Sequence, residues 1–373
     1  MIRDSREDAG RSRSGPLRSL RGRVDMLLLL LAVVVSALLW NMFGGAEQNP
    51  EVVEQPLPPA RQPLPAGEPE TPAPEPVDDP QVASLAPEQG ISAAGIPKSG
   101  RPVRFLMQNV ENYFVAGERT RSRFVSRPKS AESRDAVADV IASARPEIVG
   151  LVEMGGPVSL QDLRERLAKR GLEYPYYRVL PRQGEDRALA VLSRHPIVQD
   201  RSVANYHLYG EHRRTMLRGI LDVVVRLDDG RLYRILGAHL KSHVADDQAA
   251  AASLRNREAL TLSMYIQRIT RDQPNIPTLV YGDWNDGPAE SAVKQIVQGV
   301  STDSAMHRLS PQDSRGQGWT IYYKAGHEYC TYDHIFVNKA LKSRLKKNTP
   351  SGVVDIPAAK RASDHRALWC DLL

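Results

Sequence analysis

Cysteine is nearly missing from this 373-residue chain: there are 2, Cys330 and Cys370. That excludes a disulfide scaffold. Neither stands near the one long apolar run, so lipid attachment through a cysteine is excluded too. No internal repeat is present. Residues 26–40, MLLLLLAVVVSALLW, contain no charge, and after Arg23 no Lys or Arg occurs until Arg61. From Gly44 to Gly100 there is no hydrophobic period, although 13 of the 27 prolines fall there.

These gaps divide the chain into four segments. Residues 1–25 are a basic tail of net charge +3, read as cytoplasmic. Residues 26–43 are apolar over about the length of a bilayer core, with Arg18, Arg21 and Arg23 before them, which predicts a transmembrane signal anchor that exports the rest of the chain. The alternative is a signal peptide cleaved near Gly44–Gly45–Ala46, with the protein secreted. Residues 44–100, rich in Pro and Glu and of net charge −7, predict an extended tether. Residues 101–373 hold the folded part and carry 41 basic and 31 acidic residues, a net +10. Such a balance suits an anionic partner, a phosphate ester, nucleic acid or lipid headgroup, or serves solubility alone.

Within 101–373, strand-like runs alternate with helical ones. Strands are expected at Val103–Asn109, Glu147–Val152, Ala188–Ser193, Arg218–Leu227, Leu232–His239, Thr278–Gly282, Asp333–Asn338 and His365–Leu372. Helices are expected at Ser130–Arg145, with Ser130 as N-cap, at Leu160–Arg170 and at Ala249–Arg271. Layered sheets with helices outside follow from this order.

Nearly every strand has a carboxylate, amide or imidazole at one end: Asn109 with Glu111, Glu153, His239 with Lys241, Asp283 with Asn285, Asp333, and Asp364 with His365. One such residue is ordinary turn chemistry. Gathered on one rim, they suit a hard divalent cation and a phosphate. Oxygen ligands at Glu153 and Asn109 hold the ion, Asp283 activates or orients water, and an imidazole paired with a carboxylate stabilises the transition state.

The ordered segments NVEN (109–112), VE (152–153), AHLKS (238–242), YGDWN (281–285), YDHIFV (332–337) and SDH (363–365) together resemble the endonuclease/exonuclease/phosphatase superfamily, the deoxyribonuclease-I-like fold. The resemblance runs from about Val103 to the C-terminus. It implies a four-layer α/β sandwich, two mixed β-sheets packed face to face with helices outside. It implies Asp283, His365, Asp333, His239 and Asn285 as catalytic residues, with Asp333 fixing His365. Glu153, Asn109, Asp364 and Glu111 are implied as metal ligands, for Mg²⁺ or, alternatively, Mn²⁺ or Ca²⁺. Lys241, Asn285, Asp186 and Arg187 are implied on the substrate side, Asp186 as an acidic partner of His239. Trp284 and His334 depart from the commoner Phe and Tyr of the family pattern and are read as packing residues.

Other features stay open. Arg213, Arg214 and Arg218, and the segment Arg119–Arg127, either grip phosphates or form solvated basic loops. Leu341–Lys347 reads as a solvated face. Cys330 and Cys370 either pair or remain buried thiols. The expected function is Mg²⁺-dependent hydrolysis of phosphodiester bonds by a membrane-tethered, monomeric, exported nuclease. The alternatives are a lipid- or inositol-phosphate hydrolase of sphingomyelinase or phosphatase type and, further off, a tethered binding module without catalysis.

Overall fold

The computed structural model describes residues 100–373, apart from 121–122, 125–127, 183–184, 212, 325 and 346–348. The expected tail, anchor and linker, and most of the basic stretch Arg119–Arg127, lie outside the described residues. Among the described residues no helix is long and apolar enough to cross a membrane.

Two six-stranded sheets form the framework. β1 (Val103–Tyr113), β4 (Ile148–Met154), β5 (Tyr176–Arg182), β6 (Glu185–Ser193), β15 (Ser351–Val353) and β16 (Leu368–Leu372) make the first, in the order β15–β16–β1–β4–β6–β5. β7 (Ile197–Asp200), β8 (Leu221–Arg226), β9 (Leu232–His239), β10 (Thr278–Asp283), β11 (His307–Arg308) and β14 (Asp333–Val337) make the second, in the order β11–β14–β10–β9–β8–β7. Both are mixed: β1 runs parallel to β4 and β9 parallel to β10, while the other neighbours are antiparallel. Two small hairpins stand apart, β2 (Arg119–Thr120) with β3 (Arg123–Phe124), and β12 (Ile321–Tyr323) with β13 (Glu328–Cys330).

Alternation along each strand supplies two cores at once. On β1, Phe105 and Met107 enter a cluster shared with Leu221, Val223, Tyr233, Ile235, Leu279, Tyr281 and Ile335, which lies between the sheets. Leu106 and Val110 enter another with Val137, Val140, Ile141, Leu160 and Leu163. Those last residues belong to α1 (Ala131–Ala144) and α2 (Pro157–Ala168). On β10, Leu279 and Tyr281 face the other sheet, whereas Val280 joins Leu262, Ile266, Val293 and Ile296 of α3 (Gln248–Asp272) and α4 (Ser291–Gln298). Helix, sheet, sheet, helix is therefore the layer order. Tyr281 crosses the middle, donating its hydroxyl to Ala190 O at 2.8 Å. Its ring occupies space that only a glycine at 150 leaves, since a Cβ there would meet it at 2.6 Å.

The sequence expectations hold for the long elements. Leu232–His239 is reproduced residue for residue, and Ser130 caps α1 by accepting from Ser133 N. β5, β7, α4 and the β12–β13 hairpin were not expected: they are short, or carry Arg and Pro inside the apolar pattern. Of Leu341–Lys347, Lys342 and Ser343 are exposed as expected, whereas Leu341 is completely buried at α5 (Lys339–Lys342), and residues 346–347 lie outside the described residues. Cys330 and Cys370 are free.

Trp284 and His334 pack, as their positions suggested. Trp284 is fully buried 5.0 Å from Phe336, and His334 is 1 % exposed with its Nε2 donating to Asp286 O at 2.9 Å. Burial holds the His334 ring neutral, its pKa pushed down to about 4. Its stabilising contribution is complete above pH 6.5. It is lost as the pH falls toward 4, because the unfolded chain takes up a proton that the folded chain refuses, at a cost approaching about 3 kcal/mol. The fall in melting temperature between pH 6.5 and 4 should therefore be shallower in His334→Gln than in the parent, measured by calorimetry.

Candidate active site

The two parallel strand pairs end at the same edge of the sandwich, and the polar residues sit on those ends. In the second sheet Asp283 pairs in register with His239 on one side and Asp333 on the other. In the first, Asn109 pairs with Val152, which places Glu153 one residue beyond it. Gly282 is required here by close approach: a Cβ would lie 2.0 Å from Ala238 O and 2.6 Å from the Trp284 ring. Among the described residues six non-glycine residues have positive φ. Four of them, Glu111, Asn112, Glu153 and Asn285, are at this edge. Register shifts in β1–β4 and β4–β6 fall at the same place. Bulges and left-handed residues cost energy and re-aim side chains, and their concentration here marks the edge as a site.

One oxygen is the focus. Asp283 Oδ2 accepts from Asn109 Nδ2 at 3.1 Å and lies 3.8 Å from both His239 Nε2 and His365 Nε2. Asp283 Oδ1 accepts from Asn285 N at 2.9 Å. Glu153 Oε1 stands 3.9 Å from His239 Nε2, and its Oε2 accepts from Asn112 N at 3.1 Å. His365 Nδ1 and Asp333 Oδ2 are 2.7 Å apart, and His365 Nε2 is 3.9 Å from Asp364 Oδ1. Gaps of 3.8–3.9 Å exceed a hydrogen bond and suit an oxygen bound between the groups. The last segment is tied to the first strand through Ser363, whose hydroxyl donates to Asn109 O at 2.8 Å and accepts from His365 N at 3.0 Å.

The electrostatics separate the two imidazoles. Burial would lower His365, but Asp333, Asp283 and Asp364 outweigh it and hold the ring's pKa well above the usual histidine range. His239 is driven well below that range by burial, and then by the cations Arg218 and Arg187, the His365 ring and Lys241. Its Nδ1 is buried without a hydrogen-bond partner, so the proton is best placed on Nε2, facing Glu153 and Asp283. Burial raises the Asp283 carboxyl to about 7, with His365 opposing and Asp333 and Glu153 adding to the rise.

The donor set fits a hard divalent cation. Two carboxylates, Glu153 and Asp283, converge from different sheets on one space, with Asn109 beside them. Asp283, Asp333 and His365 present ligand atoms within 4.8 Å of one another. The only cation paired with Glu153 among the described residues is Arg187, at 3.4 Å. Glu153 would hold the ion, with Asn109 and Asp364 as the further oxygen ligands at this edge. A second group, His243, Asp286 and Glu290, is equally compact. There Asp286 is already engaged, by Arg255 Nε at 2.5 Å and Ala292 N at 3.1 Å, and it ties α3 to α4. Asp286 is thus a structural anchor.

One expected residue does not join the centre. Glu111 pairs with Lys129 Nζ at 3.4 Å, because the bulge presents the N–H of Asn112, not the Glu111 carboxylate, to Glu153. Asp186 lies on β6 just before Arg187, and no hydrogen bond joins it to His239 Nδ1, which has no such partner. Arg187 does join, donating to Asn112 Oδ1 at 2.7 Å. Lys241 gives its N–H to Glu258 at 2.7 Å and its Nζ to Val244 O at 3.1 Å. Asn285 Nδ2 donates to Leu240 O at 3.2 Å.

Sequence reasoning missed one residue and left a second open. Glu258, fully buried on α3, accepts from Leu217 N and Lys241 N and so pins the segments that carry Arg218 and Lys241. Arg218 is 6 % exposed, 3.3 Å from Glu185, with Nε and Nη1 lacking a hydrogen-bond partner. By contrast Arg214 is exposed and paired with Glu211. Nothing in the run HRRTMLR distinguishes Arg218 except its place just before a strand.

A layered α/β sandwich with a carboxylate–imidazole centre at the ends of its parallel strands defines a metal-assisted hydrolase. A family model, the Endonuclease/Exonuclease/phosphatase family, matches residues 109–365, and the chain belongs to that family. It is accordingly a phosphoric ester hydrolase of a divalent-metal-dependent kind. No curated protein matches it. Among solved structures it is similar to an endonuclease/exonuclease/phosphatase from Bacteroides vulgatus (17 % identity, 74 % of this chain and 99 % of that one, TM-score 0.52). It is also similar to a family protein from Leptotrichia buccalis (17 %, 73 % and 99 %, 0.51) and to a beta toxin structure from Staphylococcus aureus (16 %, 72 % and 99 %, 0.51). At these identities the likeness is one of fold.

The opposed imidazoles give a direct test. By NMR on metal-free protein, His365 should stay protonated through neutral pH and His239 neutral well into the acid range. Asp333→Asn removes the strongest opponent of burial, so His365 should then titrate at lower pH than in the parent. An unmoved His365 would sink the pairing.

Proposed function

We propose that the chain hydrolyses phosphodiester bonds of nucleic acid with Mg²⁺, held to a membrane by residues 26–43 and projected from it by residues 44–100. The observation that carries the substrate class is the set of three cations, Arg187, Arg218 and Lys241, around His239. All three lower its affinity for a proton. The Arg218 guanidinium is buried beside Glu185 and holds a fixed positive charge close to His239. A polyanion supplies phosphates to such a set beyond the one being cleaved, and the net +10 of residues 101–373 favours its approach.

The bound ion would neutralise charge on the phosphoryl oxygens. Asp283, oriented by Asn109 Nδ2 and Asn285 N, holds and deprotonates the attacking water on its Oδ2 side. His365, kept cationic by Asp333, stabilises the charge that develops at phosphorus or delivers a proton to the leaving oxygen. His239, neutral, donates Nε2–H to a phosphoryl oxygen. Asn285 holds another, and Lys241 and Arg187 fix the strand beside it.

The test is turnover by the full-length chain with Mg²⁺ on plasmid DNA, RNA, sphingomyelin and inositol phosphates. Nucleic acid should be cleaved, and Asp283→Ala and His365→Ala should each reduce the rate by about 10²–10⁴. Turnover of lipid but not of nucleic acid would move the chain to the sphingomyelinase or phosphatase class. Full activity in both variants would overturn the assigned residues. Arg218→Met should raise KM for DNA by about tenfold while kcat changes less, in keeping with a lost positive charge beside the bound phosphate.

A further inference from the structure

Aromatic residues are scarce in this chain, 6 % of the total, yet five fall between positions 319 and 332: Trp319, Tyr322, Tyr323, Tyr329 and Tyr332. They lie on or beside the β12–β13 hairpin. Among the described residues three aromatics are exposed, and two of them, Tyr329 at 66 % and Tyr322 at 38 %, are cross-strand partners here. Their rings lie 5.0 Å apart, and the Trp319 ring is 4.8 Å from Tyr329. Beneath the indole the Arg366 guanidinium sits 4.2 Å from the ring centre, held by Asp313 at 2.8 Å. Three rings in a row, one of them backed by a fixed cation, form a shelf that is set before any ligand arrives.

The shelf is built into the active site. Ile321 bridges His365 directly, and Arg366 N donates to Thr320 O at 2.7 Å. The fully buried Thr320 hydroxyl accepts from Tyr332 N at 3.0 Å and Asp333 N at 3.1 Å. Trp319 and Tyr322 thus flank a two-residue segment that is bonded to both members of the His365–Asp333 pair. The hairpin is thus joined to the strand ends that carry the catalytic pair, within the span of a nucleotide that flanks a phosphate at His365.

We infer that the β12–β13 hairpin is a stacking platform for a nucleobase flanking the scissile phosphate, which directs the enzyme to single-stranded or locally unpaired nucleic acid. The inference rests on the nuclease reading. The shelf chemistry favours a base over a lipid surface. Its exposed rings are tyrosines with polar tips, and the hairpin turn carries Lys324 and His327, both exposed, where a membrane-inserting tip needs apolar side chains. A base flat on a ring tolerates any sequence and leaves its phosphates to the cations beside His239.

The experiment compares kcat/KM of the full-length chain on a single-stranded oligodeoxynucleotide and on an oligomer of equal length whose sugars carry no bases. The parent should prefer the base-bearing oligomer by about tenfold or more, the usual value of one base stacked on one ring. Tyr329→Ala and Tyr322→Ala should erode that preference, and Tyr329→Phe should keep it, at unchanged melting temperature. Equal cleavage of both oligomers by the parent, or a preference undiminished in the alanine variants, overturns the platform and leaves the nuclease reading intact. Cleavage of neither, with hydrolysis of sphingomyelin vesicles, overturns the nuclease reading and the platform with it.

Discussion

The hydrogen bond from Asn109 Nδ2 to Asp283 Oδ2 joins the two sheets at the point where the chemistry is done. Everything around it depends on one geometrical constraint: two strand pairs, one in each sheet, run parallel and stop together. Parallel neighbours expose their carboxyl ends on the same edge, and in layered α/β folds that edge is where ligands bind. The registers set the distances. His239, Asp283 and Asp333 form one row across three strands, and Asn109 with Glu153 forms the facing row. The tyrosine core between the sheets fixes the separation of the rows.

Burial then gives the row its reactivity. Two histidines lie at equal distances from a single carboxylate oxygen, yet one is held cationic and the other neutral. The difference is in their neighbours: Asp333 and Asp364 beside His365, Arg218, Arg187 and Lys241 beside His239. A site with a proton donor on one side and a neutral donor on the other, around a carboxyl whose affinity for a proton lies near neutrality, is arranged for proton transfer. Glu258 contributes from a distance by pinning the two segments that carry the cations, which explains why a carboxylate is kept fully buried on an otherwise ordinary helix.

Much of this was legible in the sequence. Strand-terminal polar residues such as Asp283 and His365 stand out because they adjoin apolar runs with a clear period, and six short motifs in order identified the family. Three things were hidden. Arg218 reads as one of several arginines in a polar loop, and only the packing of α3 and β8 buries it. Glu111 was chosen by spacing, which cannot register a bulge. The β12–β13 hairpin is too short to give a periodic signal, and its importance lies in being stitched between Asp333 and His365, a relation that exists only in three dimensions.

The tie between Ser363 and Asn109 spans 254 positions, and that between Asn109 and Asp283 spans 174. No contiguous half of the domain contains a working centre. The imidazole of His365 can be laid beside the first strand only after the segment that carries it has left the ribosome, so the nascent polypeptide is chemically silent until then. Proteolytic loss of the last dozen residues would silence it again, because His365 and the strand β16 that anchors it would go together. The order of the chain thus acts as a safeguard, keeping a hydrolase of phosphate esters inert until it is whole.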